Sequence, residues 1–159
     1  MGTAEVLEGL DLVERSPDRS YFLGARDDEI VSAVEQELGL QFPPSYRMFV
    51  RRLGAGSFGS SEFYGVIDRD IAESGIPDAA WVTLRMRSEG GLAPTFLVVG
   101  SDGMGAYYVL DAAKDIGAHE SPVYVWEPGR SSSQSSLEVL AEDFGSYFLD
   151  VARRESGQV

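Results

Sequence analysis

The segment Thr95-Phe-Leu-Val-Val-Gly-Ser-Asp-Gly-Met-Gly-Ala-Tyr-Tyr-Val-Leu110 decides the fold. Two apolar runs rich in β-forming residues, 95–99 and 106–110, flank a glycine-rich stretch at 100–105. A short glycine-rich connection between two such runs is typical of a hairpin, whose strands lie antiparallel. The segment therefore predicts an antiparallel sheet rather than alternating β-α-β units.

A pair of short helices precedes this hairpin in the sequence. The first is predicted over residues 27–39, because three acidic residues favour its start, every fourth residue is apolar, and Gly39 ends it. The second begins at Pro43 and Pro44, since proline is tolerated in a first turn, and ends at Gly54.

The remaining elements complete an α+β class with a single, mainly antiparallel sheet packed against helices. We expect the helix pair on the N-terminal side of the sheet and a further helix at the C-terminus. The other predicted elements are a helix over 3–15, a strand over Glu62–Ile67, a helix over 77–88, a strand over Val123–Trp126, a serine-rich loop over 131–136, and a final helix with its apolar stripe from Leu137 and a capping box at Ser135 and Glu138. The chain is expected to be one domain over 1–159, with a core at about 27–152 and an N-terminal helical extension at 1–26.

Charge restricts the class of partner. The 159 residues include 26 acidic and 13 basic side chains, for a net charge of −13. The excess lies at both ends, with −7 over residues 1–40 and −6 over residues 101–159. Such a surface repels phosphate backbones and anionic membranes, so we expect no nucleic-acid or membrane partner. Two interpretations stay open: the charge attracts a basic protein, or it only keeps the chain soluble.

The sequence offers no convincing catalytic, metal or cofactor site. It has no cysteine and one histidine, His119, which excludes thiolate chemistry and multi-histidine metal sites. The stretch Gly54–Gly59 matches G-x-G-x-x-G, but it follows a helix, so it predicts a loop rather than a nucleotide site. Asp68 and Asp70 lack the glycine and glutamate of a calcium loop and are predicted to begin a helix. We therefore predict no enzyme activity and no cofactor.

Location follows from two further features of the sequence. The N-terminal residues lack a basic region followed by an apolar one, and no apolar run approaches the roughly 20 residues of a membrane span. A cytoplasmic protein is expected.

Taken in order, several segments resemble the SUKH superfamily. They are Ile30–Gly39, Phe42–Phe49, Glu62–Gly65, the hairpin over 96–108, and Val123–Trp126. One departure is Gly54-Ala-Gly56, where the superfamily often has Asn-Gly-Gly. The resemblance implies a sheet packed against helices and, for many bacterial members, an immunity role in which a cognate toxin is bound and neutralised. Fungal relatives are cell-wall regulatory proteins, and the superfamily shares no catalytic residues.

Our leading hypothesis is a non-enzymatic protein binder, a monomer or weak homodimer, whose acidic surface holds a basic toxin domain. A regulatory module for an endogenous protein and a small-ligand-binding protein are the alternatives. The predicted partner contacts are acids near strand ends and loops, with two aromatic anchors. They are Glu62, Tyr64, Asp68, Asp70, Asp102, Asp111, Asp115, Trp126 and Glu127.

Overall fold

Five α-helices and seven strands form within residues 2–114, 119–130 and 137–157, the part of the chain that this computed structural model describes. The helices are α1 (Gly2–Glu14), α2 (Asp28–Leu38), α3 (Pro44–Leu53), α4 (Ala79–Glu89) and α5 (Phe144–Glu155). The strands are β1 (Ser20–Phe22), β2 (Gly56–Phe58), β3 (Ser61–Phe63), β4 (Phe96–Ser101), β5 (Tyr107–Asp111), β6 (Val123–Trp126) and β7 (Glu138–Ala141). Helices combined with antiparallel strand pairs confirm the predicted mixture of helix and antiparallel sheet.

The predicted helix pair is confirmed as α2 and α3. The carboxylate of Asp27 caps α2 by accepting a hydrogen bond of 2.9 Å from the Ile30 N–H, and Gly39 ends the helix with a left-handed φ of 69°. Arg47 of α3 forms an ion pair with Asp28 at 2.5 Å, which joins the two helices. No helix in the described residues is long and apolar enough to cross a bilayer.

The strands form two antiparallel sheets, β1-β2-β3 and β4-β5-β6-β7, so the prediction of a single sheet is wrong. The sheets meet where the Tyr64 N–H donates to the Val99 carbonyl at 3.0 Å. The next residue, Gly65, approaches Gly54 so closely that a Cβ would overlap the Gly54 carbonyl. Beyond Tyr64 the backbone bonds to other parts of the chain, since the Gly65 N–H donates to the Pro77 carbonyl and the Val66 N–H to the Gly54 carbonyl, each at 3.0 Å. The strand predicted over 62–67 is therefore short, and the sheet is divided.

The C-terminal helix begins later than predicted. Residues 138–141 form β7 beside β6, and α5 starts only after Asp143, whose carboxylate accepts a hydrogen bond of 2.7 Å from the Ser146 N–H. Glu138 lies in this strand and caps no helix. Ser135, the other half of the predicted capping box, and the predicted loop over 131–136 lie outside the described residues.

A second correction concerns Asp68 and Asp70, which do not begin a helix. Both are exposed in an irregular segment, and α4 begins at Ala79. The cap of α4 is the buried Asp78, whose Oδ1 accepts hydrogen bonds from the N–H groups of Ala80 at 2.9 Å and Trp81 at 3.2 Å.

Helices lie against both faces of the four-stranded sheet. On one face Tyr108 of β5 meets Tyr147 of α5 edge to face, with ring centroids 5.6 Å apart. Side chains alternate along a strand, so Tyr107 points to the opposite face, where it contacts Trp126. The α4 helix packs along β4, and its Thr83 hydroxyl accepts a hydrogen bond of 2.9 Å from the Val98 N–H.

A cluster of phenylalanines forms the centre of the core beneath α5. The ring of Phe148 lies 5.4 Å from that of Phe49 and 5.2 Å from that of Phe63, and Phe144 lies 5.2 Å from Phe49. All four side chains are fully buried. The cluster fixes α5 against α3 and β3 and so positions the residues of α5 that face away from it.

Candidate functional site

A cleft of about 520 Å³ opens between α5, the β2–β3 turn and the β4–β5 hairpin. Its volume lies in the range of ligand-binding pockets, roughly 300–1,000 Å³. Polar side chains and three tyrosines dominate its surface. The lining residues are Ser60, Ser61, Glu62, Tyr64, Ser101, Asp102, Gly103, Tyr108, Leu140, Ala141, Tyr147, Asp150, Val151 and Arg154.

The three tyrosines lie in different parts of the chain, and two of them are almost completely buried. Tyr64, 4% exposed, follows β3, and Tyr147, 7% exposed, lies in the first half of α5. The ring of Tyr147 is held by Phe63 and Phe144, at centroid distances of 5.8 and 5.7 Å. The third, Tyr108 on β5, is half-buried beside Tyr147. These rings give the cleft a rigid aromatic lining with polar tips.

The three tyrosine hydroxyls stay protonated at neutral pH. Burial is the main cause that raises the pKa of Tyr64, Tyr108 and Tyr147 above the ordinary tyrosine value. Nearby acidic charge raises it further, from Glu62 on Tyr64 and from Asp102 on Tyr108. Each hydroxyl can therefore both donate and accept a hydrogen bond.

Gly100 packs closely against two of these tyrosines. A Cβ at this position would lie 3.2 Å from Cδ2 of Tyr108 and 3.2 Å from the hydroxyl oxygen of Tyr147. Gly100 also follows an irregularity in the β4–β5 register, between Val98 and Gly100. The missing side chain thus lets Tyr108 and Tyr147 lie close to the β4 backbone.

Carboxylates outnumber cations around the cleft. Glu62, Asp102 and Asp150 line it together with one guanidinium, that of Arg154. Asp102 also has a structural role, because its Oδ1 accepts hydrogen bonds from the N–H groups of Met104 at 2.7 Å and Ala106 at 3.0 Å. These bonds hold the hairpin loop, and with it the acidic charge, at one end of the cleft.

Glu155 ties the end of α5 to the opposite wall. Its Oε2 accepts hydrogen bonds from the hydroxyls of Ser61 at 2.6 Å and Ser60 at 2.8 Å. Donation from Ser61 is the largest of the effects that hold the pKa of this carboxyl below its usual value. The clamp fixes the distance between α5 and the β2–β3 turn, which are two of the walls.

The structure brings together three of the predicted partner contacts. Glu62, Tyr64 and Asp102 all line the cleft. Asp68 and Asp70 are exposed but lie outside the lining, in the segment between β3 and α4.

The other predicted contacts do not join this group. Asp111 lies at the far end of β5 from Tyr107, about 14 Å away at the usual rise per strand residue. Trp126 is 1% exposed, and its Nε1 donates to the Arg130 carbonyl at 3.3 Å, so the structure places it in the core without a surface for contact. Glu127 is exposed in the turn after β6, and Asp115 lies outside the described residues.

None of the residues that α5 contributes to the cleft was among the contacts predicted from the sequence. Tyr147, Asp150 and Arg154 fall at i, i+3 and i+7, so they share one face of the helix. In the sequence, this polar stripe lies beside the apolar stripe of the same helix, and it was the signal that could have identified these residues. The described residues hold no group of three or more histidine or acidic side chains arranged to bind a metal ion. The lining of the cleft offers aromatic rings, hydroxyls and carboxylates.

Comparisons with known proteins agree with this fold. A crystal structure of a protein from Pseudomonas syringae pv. tomato is similar with a TM-score of 0.63, at 16% sequence identity, covering 89% of this chain and 96% of that chain. At this identity the likeness shows the fold alone. No curated protein matches the chain. The family model SUKH_5, described as SMI1-KNR4 cell-wall, matches residues 5–153. Because this match spans nearly the whole chain and confirms the resemblance found in the sequence, the chain belongs to the SMI1-KNR4 family of the SUKH superfamily.

Proposed function

We propose that this protein is a non-enzymatic immunity protein that neutralises a cognate bacterial toxin in the cytoplasm, with the cleft at the centre of its binding surface. The family includes immunity proteins, and its members bind protein partners such as toxins. The observation that carries the proposal is the convergence of three tyrosines and three carboxylates on one cleft. Aromatic anchors surrounded by charge are typical of energetically dominant contacts at protein interfaces.

Complementary charge would raise the association rate of the proposed interaction. The net charge of −13 and the carboxylates of Glu62, Asp102 and Asp150 complement a basic toxin domain of the kind that binds nucleic acid. Complementary potentials raise association rates toward ~10⁸ M⁻¹s⁻¹ at low salt. In this proposal the three carboxylates attract the toxin, and the tyrosines slow its dissociation.

A small-ligand-binding role is the second candidate. The cleft volume of about 520 Å³ is the observation that favours it, because it would accommodate a small molecule as readily as a peptide loop. A regulatory partner encoded by the same cell would use the same surface. The toxin hypothesis differs from both in requiring that the protein protect cells against a specific toxin domain.

The test pairs a growth assay with association kinetics. The full chain is co-expressed with toxin domains encoded beside its gene, and association with each purified domain, carrying an inactivated active site, is followed by stopped flow. The cleft variant carries Glu62→Gln and Asp102→Asn, since asparagine retains the oxygen that holds the hairpin loop. The control carries Asp68→Asn and Asp70→Asn, which remove the same charge outside the cleft.

We expect protection by the native chain and an association rate about tenfold lower for the cleft variant at low salt, with a much smaller change for the control. High salt should reduce the difference between the two variants, because screening weakens exposed charge interactions. Failure to protect against any of the neighbouring toxin domains would contradict the immunity role. Equal rates for both variants would show that the cleft is not the centre of the interface.

A further inference from the structure

We propose that the cleft receives an arginine side chain presented by the protein partner, with the Tyr147 hydroxyl accepting a hydrogen bond from it. The inference rests on the proposed function and names the chemistry that the same surface selects. Two observations support it: the largely buried hydroxyl of Tyr147, which has no hydrogen-bond partner among the described residues, and the excess of carboxylates around the cleft.

The hydroxyl of Tyr147 forms no hydrogen bond with any described residue, although the side chain is only 7% exposed. Tyr147 lines the cleft, and its oxygen is accessible from there. Buried hydroxyls nearly always have a partner, in the protein or outside it. A ligand with an N–H donor would satisfy this oxygen.

The charges around the cleft select a cation. Glu62, Asp102 and Asp150 contribute three negative charges against the single positive charge of Arg154. An anionic group entering the cleft would face repulsion from these carboxylates, whereas a cation would be attracted by them. The hydroxyls of the lining tyrosines are neutral and can orient either kind of group. The carboxylates therefore determine that the bound group is positively charged.

The shape of the lining favours guanidinium over ammonium. A guanidinium group is flat and carries five N–H donors, so it can bond a carboxylate and a tyrosine oxygen at once while stacking on an aromatic ring. Tyr108 is half-buried and presents aromatic surface to the cleft beside the nearly buried ring of Tyr147, 5.6 Å away. Gly100, which has no side chain, lets both tyrosines lie close to the β4 backbone. Lysine would use only part of this arrangement.

The experiment titrates the ¹⁵N-labelled full chain with N-acetyl-L-arginine amide and follows the amide chemical shifts. N-acetyl-L-citrulline amide, which has nearly the same shape without the charge, is the matched probe. We expect saturable shifts centred on Gly100, Tyr108 and Tyr147, with a Kd on the order of 1 mM. Citrulline should bind at least about tenfold more weakly. Equal affinity for the two probes, or no saturable shift with arginine, would overturn the inference.

Two variants test the assigned groups. Tyr147→Phe keeps the ring and removes the hydroxyl, and should raise the arginine Kd about fivefold. Gly100→Ala adds a Cβ 3.2 Å from the Tyr147 hydroxyl oxygen and 3.2 Å from Cδ2 of Tyr108, so it displaces these groups and should also weaken binding, while adding no left-handed backbone strain. The control is Tyr124→Phe, because Tyr124 pairs with Val109 and therefore faces the side of the sheet opposite Tyr108. An unchanged Kd for Tyr147→Phe would overturn the assignment of that hydroxyl.

The failure of this inference can be distinguished from the failure of the proposed function. Arginine binding that responds to Tyr147→Phe, in a chain that protects against no toxin, would contradict the immunity role and support the arginine site. Toxin binding that is neither competed by the arginine probe nor weakened by Tyr147→Phe would support the immunity role and overturn the arginine site.

Discussion

The α5 helix has two neighbouring faces, one buried in the core and one lining the cleft. One face carries Phe144 and Phe148, whose rings are fully buried among other phenylalanines. The other carries Tyr147, Asp150 and Arg154, which line the cleft. The two faces lie about 100° apart around the helix, the angle between consecutive residues. Neighbouring positions on one rigid element therefore separate the packing that stabilises the fold from the groups that face a partner.

This separation has a physical consequence that mutations can test. Apolar rings gain stability from being removed from water, and their loss leaves cavities. A hydroxyl without a hydrogen-bond partner contributes little to the stability of the free protein, but it is available to a ligand. We therefore expect substitutions on the first face to change the free energy of unfolding and substitutions on the second to change binding.

The largest effect is expected for Phe148→Ala. The ring contacts Phe49, Phe63 and Phe144, and a Cβ added at Gly9 of α1 would collide with it. Its removal should lower the free energy of unfolding by about 3–5 kcal/mol, measured by urea denaturation followed by circular dichroism. A loss below about 1 kcal/mol would mean that the phenylalanine cluster is not the stabilising core.

The next effect is expected at the junction that carries Tyr64 into the cleft. Gly65→Ala would place a Cβ against the Gly54 carbonyl and should cost about 2–3 kcal/mol of folding stability, with chemical-shift changes at Tyr64. Gly75→Ala is the matched control, since nothing lies within 4 Å of its Cβ and its φ is not left-handed. Equal denaturation midpoints for the two variants would contradict the close packing of Gly65 against the Gly54 carbonyl.

The fold was predictable where its causes are local. Asp27 and Gly39 bound α2 through a cap and a left-handed turn that a few adjacent residues determine. The glycine-rich hairpin is local in the same sense. The division into two sheets was not predictable, because residues 64–66 bond to Val99, Pro77 and Gly54, which lie far away in the sequence. The start of α5 was missed since the apolar residues before Asp143 fit a strand as well as a helix.

Part of the lining of the candidate cleft was predictable from local sequence, whereas the predicted role of these residues as partner contacts stays a prediction. Glu62, Tyr64 and Asp102 were selected from their positions near strand ends and loops, and these positions converge on the cleft. Tyr147 was missed because its place in the cleft depends on how α5 packs against the sheet, which only tertiary packing decides. Trp126 was selected for its residue type, yet alternation along β6 turns it into the core.

A smaller effect, dependent on pH, is expected at the clamp between α5 and the β2–β3 turn. Glu155→Gln should lower stability at pH 7 by about 1 kcal/mol, because the serine hydroxyls would lose a charged acceptor. The folded state holds the pKa of Glu155 below its ordinary value. The stabilisation is therefore complete above the ordinary pKa and is lost as the pH falls through the lowered one.

Urea denaturation at a series of pH values checks this expectation. The difference between the native chain and Glu155→Gln should shrink as the solution is acidified below about pH 4. Ser61→Ala, which removes the strongest donor to Glu155, should show a difference of the same sign and the same pH dependence. A difference that stays constant down to acid pH would mean that the ionised carboxylate is not what the serines stabilise.

The smallest change in stability is expected for Tyr147→Phe, compared with the chemically identical Tyr46→Phe. The hydroxyl of Tyr46 is buried and donates to the Tyr64 carbonyl at 3.0 Å, so its loss should cost about 1–2 kcal/mol. The hydroxyl of Tyr147 has no hydrogen-bond partner among the described residues, so its loss should change stability by less than about 0.5 kcal/mol. Urea denaturation of both variants gives the comparison. Equal losses would mean that the Tyr147 hydroxyl supports the fold. A neutral Tyr147→Phe that nevertheless binds arginine more weakly would assign this hydroxyl to recognition, because packing cannot account for a loss confined to binding.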